Sequence, residues 1–379
     1  MKPENINFLI PTPLSERDYR RFGARLLESR GFNVSYFDLT DILNPDYVKS
    51  VTINRFECKN TRVFTSLAEL EQTLKNCDRE KTIYIDLLIG RKETYPVFKL
   101  LTKYGLPYAS LHTNAVPFPR TSLKRKVYNA VTQAMTKFKY RKIRIPDYIL
   151  AGGRAFLEAL PRPGKDTVTV LGHTLDYDLY LEFKANRPEP LVKGSYAVFL
   201  DEYLPYHPDF LVAGAYKNPF NDPSLYYDEV NLMLSELEKL LKIPVVIAAH
   251  PRARYDKVGN RFNGRKIIQS NTINLVANAE IVVTHASTSL NFAVLFNKPV
   301  IFMLPEILKS KVFYGFIRNF AENLGKTPVD AASIKNIDIN VQRAVNTSKY
   351  SEYKDKYIKT SGSPEKYFWD IVADNISKE

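Results

Sequence analysis

A histidine and a proline together end one of the most apolar segments of the chain, Ile247-Ala248-Ala249-His250-Pro251. The apolar run predicts a buried strand, and the proline predicts its end, because proline has no N–H to donate to a sheet. The imidazole of His250 would then project from the carboxyl edge of the sheet. There it can donate a hydrogen bond to a phosphate or act as an acid. The alternative is a histidine that packs at the strand end and bonds to backbone.

Three consecutive hydroxyl residues, Ser287-Thr288-Ser289, follow a second apolar segment at 281–284 and precede a helical pattern. The first turn of a helix has free N–H groups and the positive end of the helix dipole, and hydroxyls add donors, so this turn can bind an anion. His285 lies beside the turn in the sequence, and we expect it to be a second donor. The alternative is ordinary N-capping by Ser287 or Ser289, which uses one hydroxyl.

Two adjacent acids, Asp201 and Glu202, follow a third apolar segment at 197–200. A carboxylate at a sheet edge could deprotonate an acceptor hydroxyl in an inverting transfer, or attack an anomeric carbon in a retaining one. The alternative is a strand-end acid that caps a turn or pairs with a nearby arginine. The sequence does not choose between the two acids.

Further charged residues lie near these segments. Arg252 and Arg254 could neutralise a phosphate or a carboxylate, because a planar guanidinium suits both groups. The alternative is a pair of solvated loop charges, which we favour for Arg254. In the first half of the chain, Asp86 and His112 stand at the ends of apolar segments and could contact an acceptor.

The elements that must position these residues alternate between strand and helix patterns in both halves of the chain, which predicts parallel α/β sheets. A polar segment at 184–195 predicts a domain boundary. We therefore expect an N-terminal domain at 1–188, a C-terminal domain at 189–350 and a helical tail at 351–379. Ligands of open parallel sheets bind at the carboxyl ends of strands, so the cleft between the domains is the expected site. Asp176-Tyr177-Asp178 has the spacing of a metal motif, but we predict a turn there.

Composition narrows the class of protein. The 379 residues carry a formal charge of +13, which indicates an anionic partner. The only two cysteines, Cys58 and Cys77, exclude a disulfide scaffold and a multi-cysteine metal site. No apolar run approaches the ~20 residues of a membrane span, and the first residues lack a secretory signal, which predicts a cytoplasmic protein.

The positive charge is concentrated at 120–144, where nine basic residues occur without an acid. Apolar residues alternate with the basic ones, as in a helix that lies against anionic lipid headgroups. We expect Lys124, Arg125 and Lys126 to contact a lipid-linked acceptor or the membrane. RNA binding is the alternative, although no RNA-recognition motif is present.

Taken in order, His250-Pro251, the Ser287-Thr288-Ser289 turn and Lys298-Pro299 resemble the C-terminal half of glycosyltransferases of the GT-B fold. The resemblance covers roughly residues 195–305 and is strongest to bacterial enzymes that use CMP-activated sugars, the sialyltransferase-like and Kdo-transferase-like proteins. In those families a His-Pro motif and a Ser/Thr pair hold the CMP phosphate. An acidic pair, often followed by glycine, supplies a catalytic carboxylate. Tyr203 follows the pair here.

This resemblance implies two Rossmann-like domains that face each other across a cleft. It implies a glycosyltransferase that moves a Kdo-like or sialic-acid-like sugar from a CMP-linked donor to a surface polysaccharide or lipopolysaccharide. The nucleotide sugar would be a co-substrate, with no other cofactor and no metal. We expect a cytoplasmic enzyme at the periphery of the inner membrane, without a nucleic-acid partner. Two alternatives remain open: a UDP-sugar or polyol-phosphate transferase on the same fold, and a nucleic-acid-binding or scaffold protein that uses 120–144.

Overall fold

The computed structural model describes residues 3–45, 48, 55–88, 93–113, 115–117, 142–159, 164–207, 220, 222–309 and 311–377. Two parallel sheets with helices packed against them account for these residues, as the alternating patterns predict. The basic segment around Lys124, Arg125 and Lys126 lies outside the described residues.

The first domain contains a seven-stranded sheet in the order β3-β2-β1-β4-β5-β6-β7. Its strands are β1 (Asn5–Ile10), β2 (Asn33–Asp38), β3 (Thr61–Val63), β4 (Thr82–Asp86), β5 (Tyr108–His112), β6 (Tyr148–Gly152) and β7 (Val168–Gly172). The described helices are α1 (Glu16–Arg21), α2 (Ala24–Ser29), α3 (Thr40–Leu43), α4 (Leu67–Lys75), α5 (Tyr95–Lys103), α6 (Arg154–Ala159) and α7 (Leu175–Asn186). The strand order reverses between β1 and β4.

Ser15 forms the N-terminal cap of α1, since its hydroxyl accepts a hydrogen bond of 3.1 Å from the Asp18 N–H. The helical segment that begins after Ser15 is interrupted between α1 and α2 at Gly23. This residue has φ +62° and lies against the Trp369 ring, where a Cβ atom would overlap the indole.

The second domain contains a six-stranded sheet in the order β10-β9-β8-β11-β12-β13. Its strands are β8 (Ala197–Leu200), β9 (Val245–Ala249), β10 (Ile267–Gln269), β11 (Ile281–Thr284), β12 (Val300–Leu304) and β13 (Val329–Asp330). The described helices are α8 (Pro223–Leu241), α9 (Tyr255–Val258), α10 (Thr272–Asn278), α11 (Leu290–Leu295), α12 (Lys311–Asn323), α13 (Ile339–Arg343), α14 (Thr347–Tyr353) and α15 (Phe368–Ile376). Here the strand order reverses between β8 and β11.

Burial on both faces explains the continuous apolar runs of the second sheet. All residues of β8, β9 and β11 are buried, as parallel strands covered by helices on both sides must be. The longest of the described helices, α8, buries Val230, Leu234, Leu237 and Leu241, which follow one another at helical spacing.

The predicted domain boundary at 188 falls in the connection between α7 and β8, which contains no helix or strand. The C-terminal segment does not remain with the second domain, because α15 returns to the first domain. Trp369 packs against Phe8 there, with ring centroids 5.1 Å apart, and its indole N–H donates a hydrogen bond of 2.8 Å to the Arg21 carbonyl. None of the described helices combines the length and apolar character needed to cross a membrane.

Candidate functional site

Three neighbouring strands of the second sheet bring the predicted site residues to one edge. His250 follows β9, Asp201 and Glu202 follow β8, and the Ser287–Ser289 turn follows β11. Because β8 lies between β9 and β11, the acids stand between the histidine and the hydroxyls. The strand order reverses between β8 and β11, and such a reversal opens the crevice in which parallel sheets bind ligands.

Glu202 spans this crevice. Its Oε1 atom accepts a hydrogen bond of 2.8 Å from the N–H of Ala286, the residue before the Ser287–Ser289 turn. Burial, together with the charge of Asp201, raises the pKa of Glu202 to about 7 against the opposing effect of the Ala286 N–H. A half-buried carboxyl with such a pKa can exchange a proton near neutral pH, as an acid–base catalyst must.

Asp201 is buried, and both of its oxygens are engaged within the protein. Oδ1 accepts a hydrogen bond of 2.9 Å from the Tyr203 N–H, and Oδ2 accepts one of 2.7 Å from the Tyr255 hydroxyl. Burial raises its pKa to about 6. Tyr203 itself has φ +54°, a left-handed conformation that these bonds help to hold. The structure thus gives Asp201 the turn-capping role of the alternative interpretation and leaves Glu202 as the candidate catalytic carboxylate.

His250 presents a neutral imidazole. Its Nδ1 atom accepts a hydrogen bond of 3.2 Å from the Arg252 N–H, which assigns the ring proton to Nε2. Burial, together with the nearby charges of His207, Arg252 and Arg17, lowers the pKa of His250 to about 3. The Gln269 amide fixes the loop after β9 by donating to the Pro251 carbonyl at 2.8 Å. The Nε2–H group is therefore a positioned donor.

The Ser287–Ser289 turn combines a cap with unused donors. Ser287 Oγ accepts a hydrogen bond of 3.3 Å from the Ser289 N–H, as in ordinary capping. The hydroxyls of Thr288 and Ser289 have no hydrogen-bond partner among the described residues. Because α11 has only six residues, an anion here would depend on these hydroxyls and on N–H groups more than on a helix dipole.

The prediction that His285 is a second donor is wrong. His285 is 1% exposed, and both ring nitrogens bond inside the domain: Nδ1 lies 2.8 Å from the Met303 carbonyl and Nε2 lies 3.1 Å from the Tyr226 hydroxyl. Burial lowers its pKa to about 4. The side chain lies beneath the sheet edge and points toward α8, where it supports the Ser287–Ser289 turn. Neither ring nitrogen is available to bind a ligand.

The two arginines after His250 differ in their surroundings. Arg252 lies close enough to His250 for its charge to lower the pKa of the imidazole. Arg254 forms an exposed ion pair of 2.8 Å with Asp256, the solvated loop pair that the alternative interpretation describes.

A contact between the domains was not predicted from the sequence. Arg21 of α1 forms an ion pair of 3.1 Å with Asp176, whose other oxygen accepts a hydrogen bond of 3.0 Å from the Asn291 amide in α11. Asp176 lies in the first helical turn of α7. The sequence predicts a loop turn at this position, so the structure differs from the prediction here. Arg17 precedes Arg21 by four residues, and its charge also reaches His250.

A polar cluster stands at the corresponding edge of the first sheet. Asp86 accepts a hydrogen bond of 2.7 Å from the Leu88 N–H, and Ser110 Oγ lies 3.4 Å from Asp86 Oδ2 and 3.0 Å from His112 Nε2. Burial raises the pKa of Asp86 to about 6 and lowers that of His112. Hydrogen-bonding groups for an acceptor are thus present at this edge of the first sheet.

The described residues contain no group of three His, Cys, Asp or Glu side chains that could hold a metal ion.

No family model and no curated protein matches this chain. Among solved structures, the wall teichoic acid polymerase TagF aligns over 99% of this chain and 89% of its own, with a TM-score of 0.54 and 14% identity. A TagF variant soaked with CDPG aligns over 99% of this chain and 88% of its own, with a TM-score of 0.52 and 16% identity. A putative UDP-N-acetylglucosamine 2-epimerase from Listeria monocytogenes aligns over 99% and 95%, with a TM-score of 0.50 and 11% identity.

Likeness at such low identity shows the fold alone. The fold is that of two Rossmann-like α/β domains in the GT-B arrangement, which confirms the expected fold class.

Proposed function

We propose that this protein is a glycosyltransferase that uses a nucleotide-linked sugar donor. The observation that carries the proposal is the hydrogen bond between Glu202 and the Ala286 N–H. It holds a carboxyl group with a pKa of about 7 in the crevice between His250 and the Ser287–Ser289 turn. The GT-B fold supports the same activity, since structures with this fold include a wall teichoic acid polymerase and a putative UDP-N-acetylglucosamine 2-epimerase.

On the donor side, the phosphate next to the sugar would lie against the hydroxyls of Thr288 and Ser289. His250 would donate to it through Nε2–H. Preorganised donors of this kind stabilise the charge that develops on a leaving phosphate without having to reorganise. A neutral imidazole binds the phosphate more tightly as negative charge builds up on the phosphate, because the nearby anion also favours protonation of the imidazole.

On the acceptor side, Glu202 would take the proton of the attacking hydroxyl. The acceptor oxygen then bonds to the anomeric carbon, the bond from that carbon to the phosphate oxygen breaks, and its electron pair leaves with the nucleotide. A pKa near neutrality suits this proton transfer. In a retaining enzyme, a Glu202 oxygen would instead bond to the anomeric carbon as the nucleotide phosphate leaves, and the acceptor oxygen would then displace Glu202 from that carbon.

For the donor, we propose a cytidine nucleotide. The His250-Pro251 and Ser287–Ser289 motifs support a CMP-linked Kdo-like or sialic-acid-like sugar, with a surface glycan or lipopolysaccharide as acceptor. The TagF structure with CDPG supports the alternative, a CDP-linked polyol-phosphate or sugar, and a UDP-sugar is the third possibility. We also propose that the basic segment 120–144 places the enzyme at the anionic inner face of the membrane.

Thermal-shift measurements of the full chain with CMP, CDP, UDP and GDP test the donor class. We expect cytidine nucleotides to raise the melting temperature, because binding to the folded state stabilises it. UDP stabilisation without any effect of CMP or CDP would contradict the cytidine proposal. If no nucleotide has an effect while a single-stranded RNA raises the melting temperature, the protein belongs to the nucleic-acid-binding class.

A further inference from the structure

The rings of His207 and His250 pack against each other at the carboxyl edge of the second sheet. Their centroids are 4.8 Å apart and their planes meet at 63°, an edge-to-face arrangement that aromatic rings favour. His207 ends the described segment that follows β8, and His250 comes directly after β9. A second histidine therefore contacts the one that we propose to bind the phosphate.

A tight turn of the backbone brings the His207 ring to this position. Tyr203 has a left-handed conformation, with φ +54°, and a short 3₁₀ helix, Leu204–Tyr206, follows it. The Tyr206 N–H donates to the Tyr203 carbonyl at 3.0 Å, and the His207 N–H donates to the Leu204 carbonyl at 3.4 Å. These bonds fold the chain back on itself, so His207 remains at the sheet edge.

Further contacts join this turn to the loop after β9. The Tyr255 hydroxyl donates to Asp201 Oδ2 at 2.7 Å, and the Tyr255 ring packs edge-on against the Tyr203 ring with centroids 5.2 Å apart. Tyr203, Ala249 and Ala253 form a small buried apolar cluster between the two segments. The turn and the loop are thus one packed unit, and the contact between the two imidazoles belongs to it.

The imidazole of His250 has one hydrogen bond to the described part of the chain, in which Nδ1 accepts from the Arg252 N–H at 3.2 Å. One bond at one atom leaves the ring able to turn about its bond to Cβ, because this torsion has a broad energy minimum. A turned ring would also exchange tautomers, since the Arg252 N–H would no longer favour an unprotonated Nδ1. Packing against the His207 ring restricts the rotation, because close-packed rings cannot turn without a clash or a void. The direction of Nε2–H is therefore set by both contacts together.

We propose that His207 is a positioning residue, whose ring holds the His250 imidazole in the orientation that aims Nε2–H at the phosphate of the bound nucleotide. This inference rests on the proposed function. His207 acts through His250 and not through a contact with the nucleotide. Because a ring that is already held in place loses little freedom on binding, the contact between the rings should strengthen nucleotide binding.

Calorimetric titration of CMP, CDP and UDP into the full chain tests this role. His207→Ala removes the ring and should weaken nucleotide binding about fivefold, because His250 must then be ordered on binding. His207→Phe keeps a flat ring and should restore binding to within about twofold of the wild type. Tyr206→Ala is the matched control, since it removes a ring of the same turn that packs against Tyr203, with centroids 5.4 Å apart. Its nucleotide affinity should stay within about twofold of the wild type.

A double-mutant cycle shows whether His207 acts through His250. In the His250→Ala background, His207→Ala should have no further effect on nucleotide affinity, because the residue that it positions is absent. A further loss of about fivefold in that background would mean that His207 binds the nucleotide itself, and would overturn the positioning role. An equal loss in Tyr206→Ala and His207→Ala would attribute the effect to the turn as a whole, and would overturn it as well.

Imidazole ¹⁵N NMR of the ligand-free protein gives a readout that does not depend on a nucleotide. The chain has five histidines, so the His250 signals can be assigned by their loss in His250→Ala. We expect a single Nε2–H tautomer of His250 in the wild type and in His207→Phe, and a mixture of tautomers in His207→Ala.

An unchanged tautomer and unchanged nucleotide affinity in His207→Ala would refute the positioning role while the proposed function stands. If the wild type binds none of the three nucleotides, the proposed function fails and the positioning role fails with it. Melting temperatures show whether each variant is folded. Should His207→Ala unfold below the assay temperature, His207→Leu takes its place, because leucine fills the space without a flat ring.

Discussion

The Tyr255 hydroxyl donates a hydrogen bond of 2.7 Å to the buried carboxylate of Asp201. This bond distinguishes two adjacent acids that the sequence presents as equals. Asp201 is bonded on both oxygens and 3% exposed, whereas Glu202 is half-buried and has one oxygen bonded to the Ala286 N–H. The structure therefore predicts opposite consequences for substitution of the two residues, one for activity and one for stability.

Glu202→Gln should abolish most of the transfer activity without loss of nucleotide binding. The amide keeps the shape of the side chain and can still accept from the Ala286 N–H, but it cannot take a proton. General acid–base groups contribute about 10²–10⁴-fold to rates, and we expect a loss of kcat in that range. Nucleotide release in the presence of donor and acceptor measures the rate, and calorimetry measures binding. Glu322→Gln, on the surface of α12, is the matched control. A kcat within a few-fold of the wild type would remove Glu202 from the mechanism.

Asp201→Ala should instead destabilise the second domain. The substitution leaves the Tyr203 N–H and the Tyr255 hydroxyl without their acceptor, and an unpaired buried donor costs about 1–3 kcal/mol. Urea unfolding should show a decrease in the free energy of unfolding of about 2–4 kcal/mol. Tyr255→Phe removes one of the two bonds and should cost less. Equal stability of Asp201→Ala and the wild type would show that the turn does not depend on these bonds.

The pH dependence of stability provides a test of the Glu202 pKa. Because burial raises this pKa from 4.5 to about 7, the folded state binds more protons than the unfolded state between these values. The Glu202 contribution to the free energy of unfolding is therefore favourable at low pH and is lost as pH rises toward 7. His250 and His285 act in the opposite direction below pH 6.5, since their pKa values are lowered.

Comparison of the wild type with Glu202→Gln isolates the contribution of Glu202 to the pH dependence of stability, because His250 and His285 are present in both proteins. The stability of the variant minus that of the wild type should increase by about 1–3 kcal/mol between pH 5 and pH 8. Urea unfolding at unit pH intervals measures this difference. A difference that stays constant with pH would mean that the Glu202 pKa is not raised.

His250 and His285 should differ in the same way as Glu202 and Asp201, one substitution affecting ligand binding and the other stability. His250→Ala should weaken nucleotide binding about tenfold with little change in melting temperature, since a hydrogen bond to a charged group contributes about 1.5–3 kcal/mol. His285→Ala should lower the free energy of unfolding by about 2–3 kcal/mol, because it leaves a cavity and an unbonded Met303 carbonyl. Nucleotide affinity of the folded His285→Ala protein should stay near that of the wild type. The reverse pattern would place His285 at the ligand.

Much of this site follows from rules that relate sequence to sheet topology. Continuous apolar runs predict parallel strands, and the residue after such a run lies at the carboxyl edge, so His250, Glu202 and Ser287 could be grouped before the structure was known. The direction of the His285 side chain could not be predicted, because the residue after a strand can face either the crevice or the core. The contact of Arg21 with Asp176 spans 155 residues, and the contact of Asp176 with Asn291 joins the two domains. No local pattern encodes such distances.

The contact between Arg21 and Asp176 leads to a prediction about substrate binding. If Asp176 holds α1 against the second domain, Arg21→Ala and Asp176→Ala should each raise the donor KM about fivefold, with kcat within about twofold of the wild type, because the reacting groups are untouched. The double variant should be no worse than either single variant, since residues that act as one unit are not additive. Arg20→Ala serves as the control. Additive effects on KM would show that the two residues act independently, and a loss confined to kcat would place them in the chemical step.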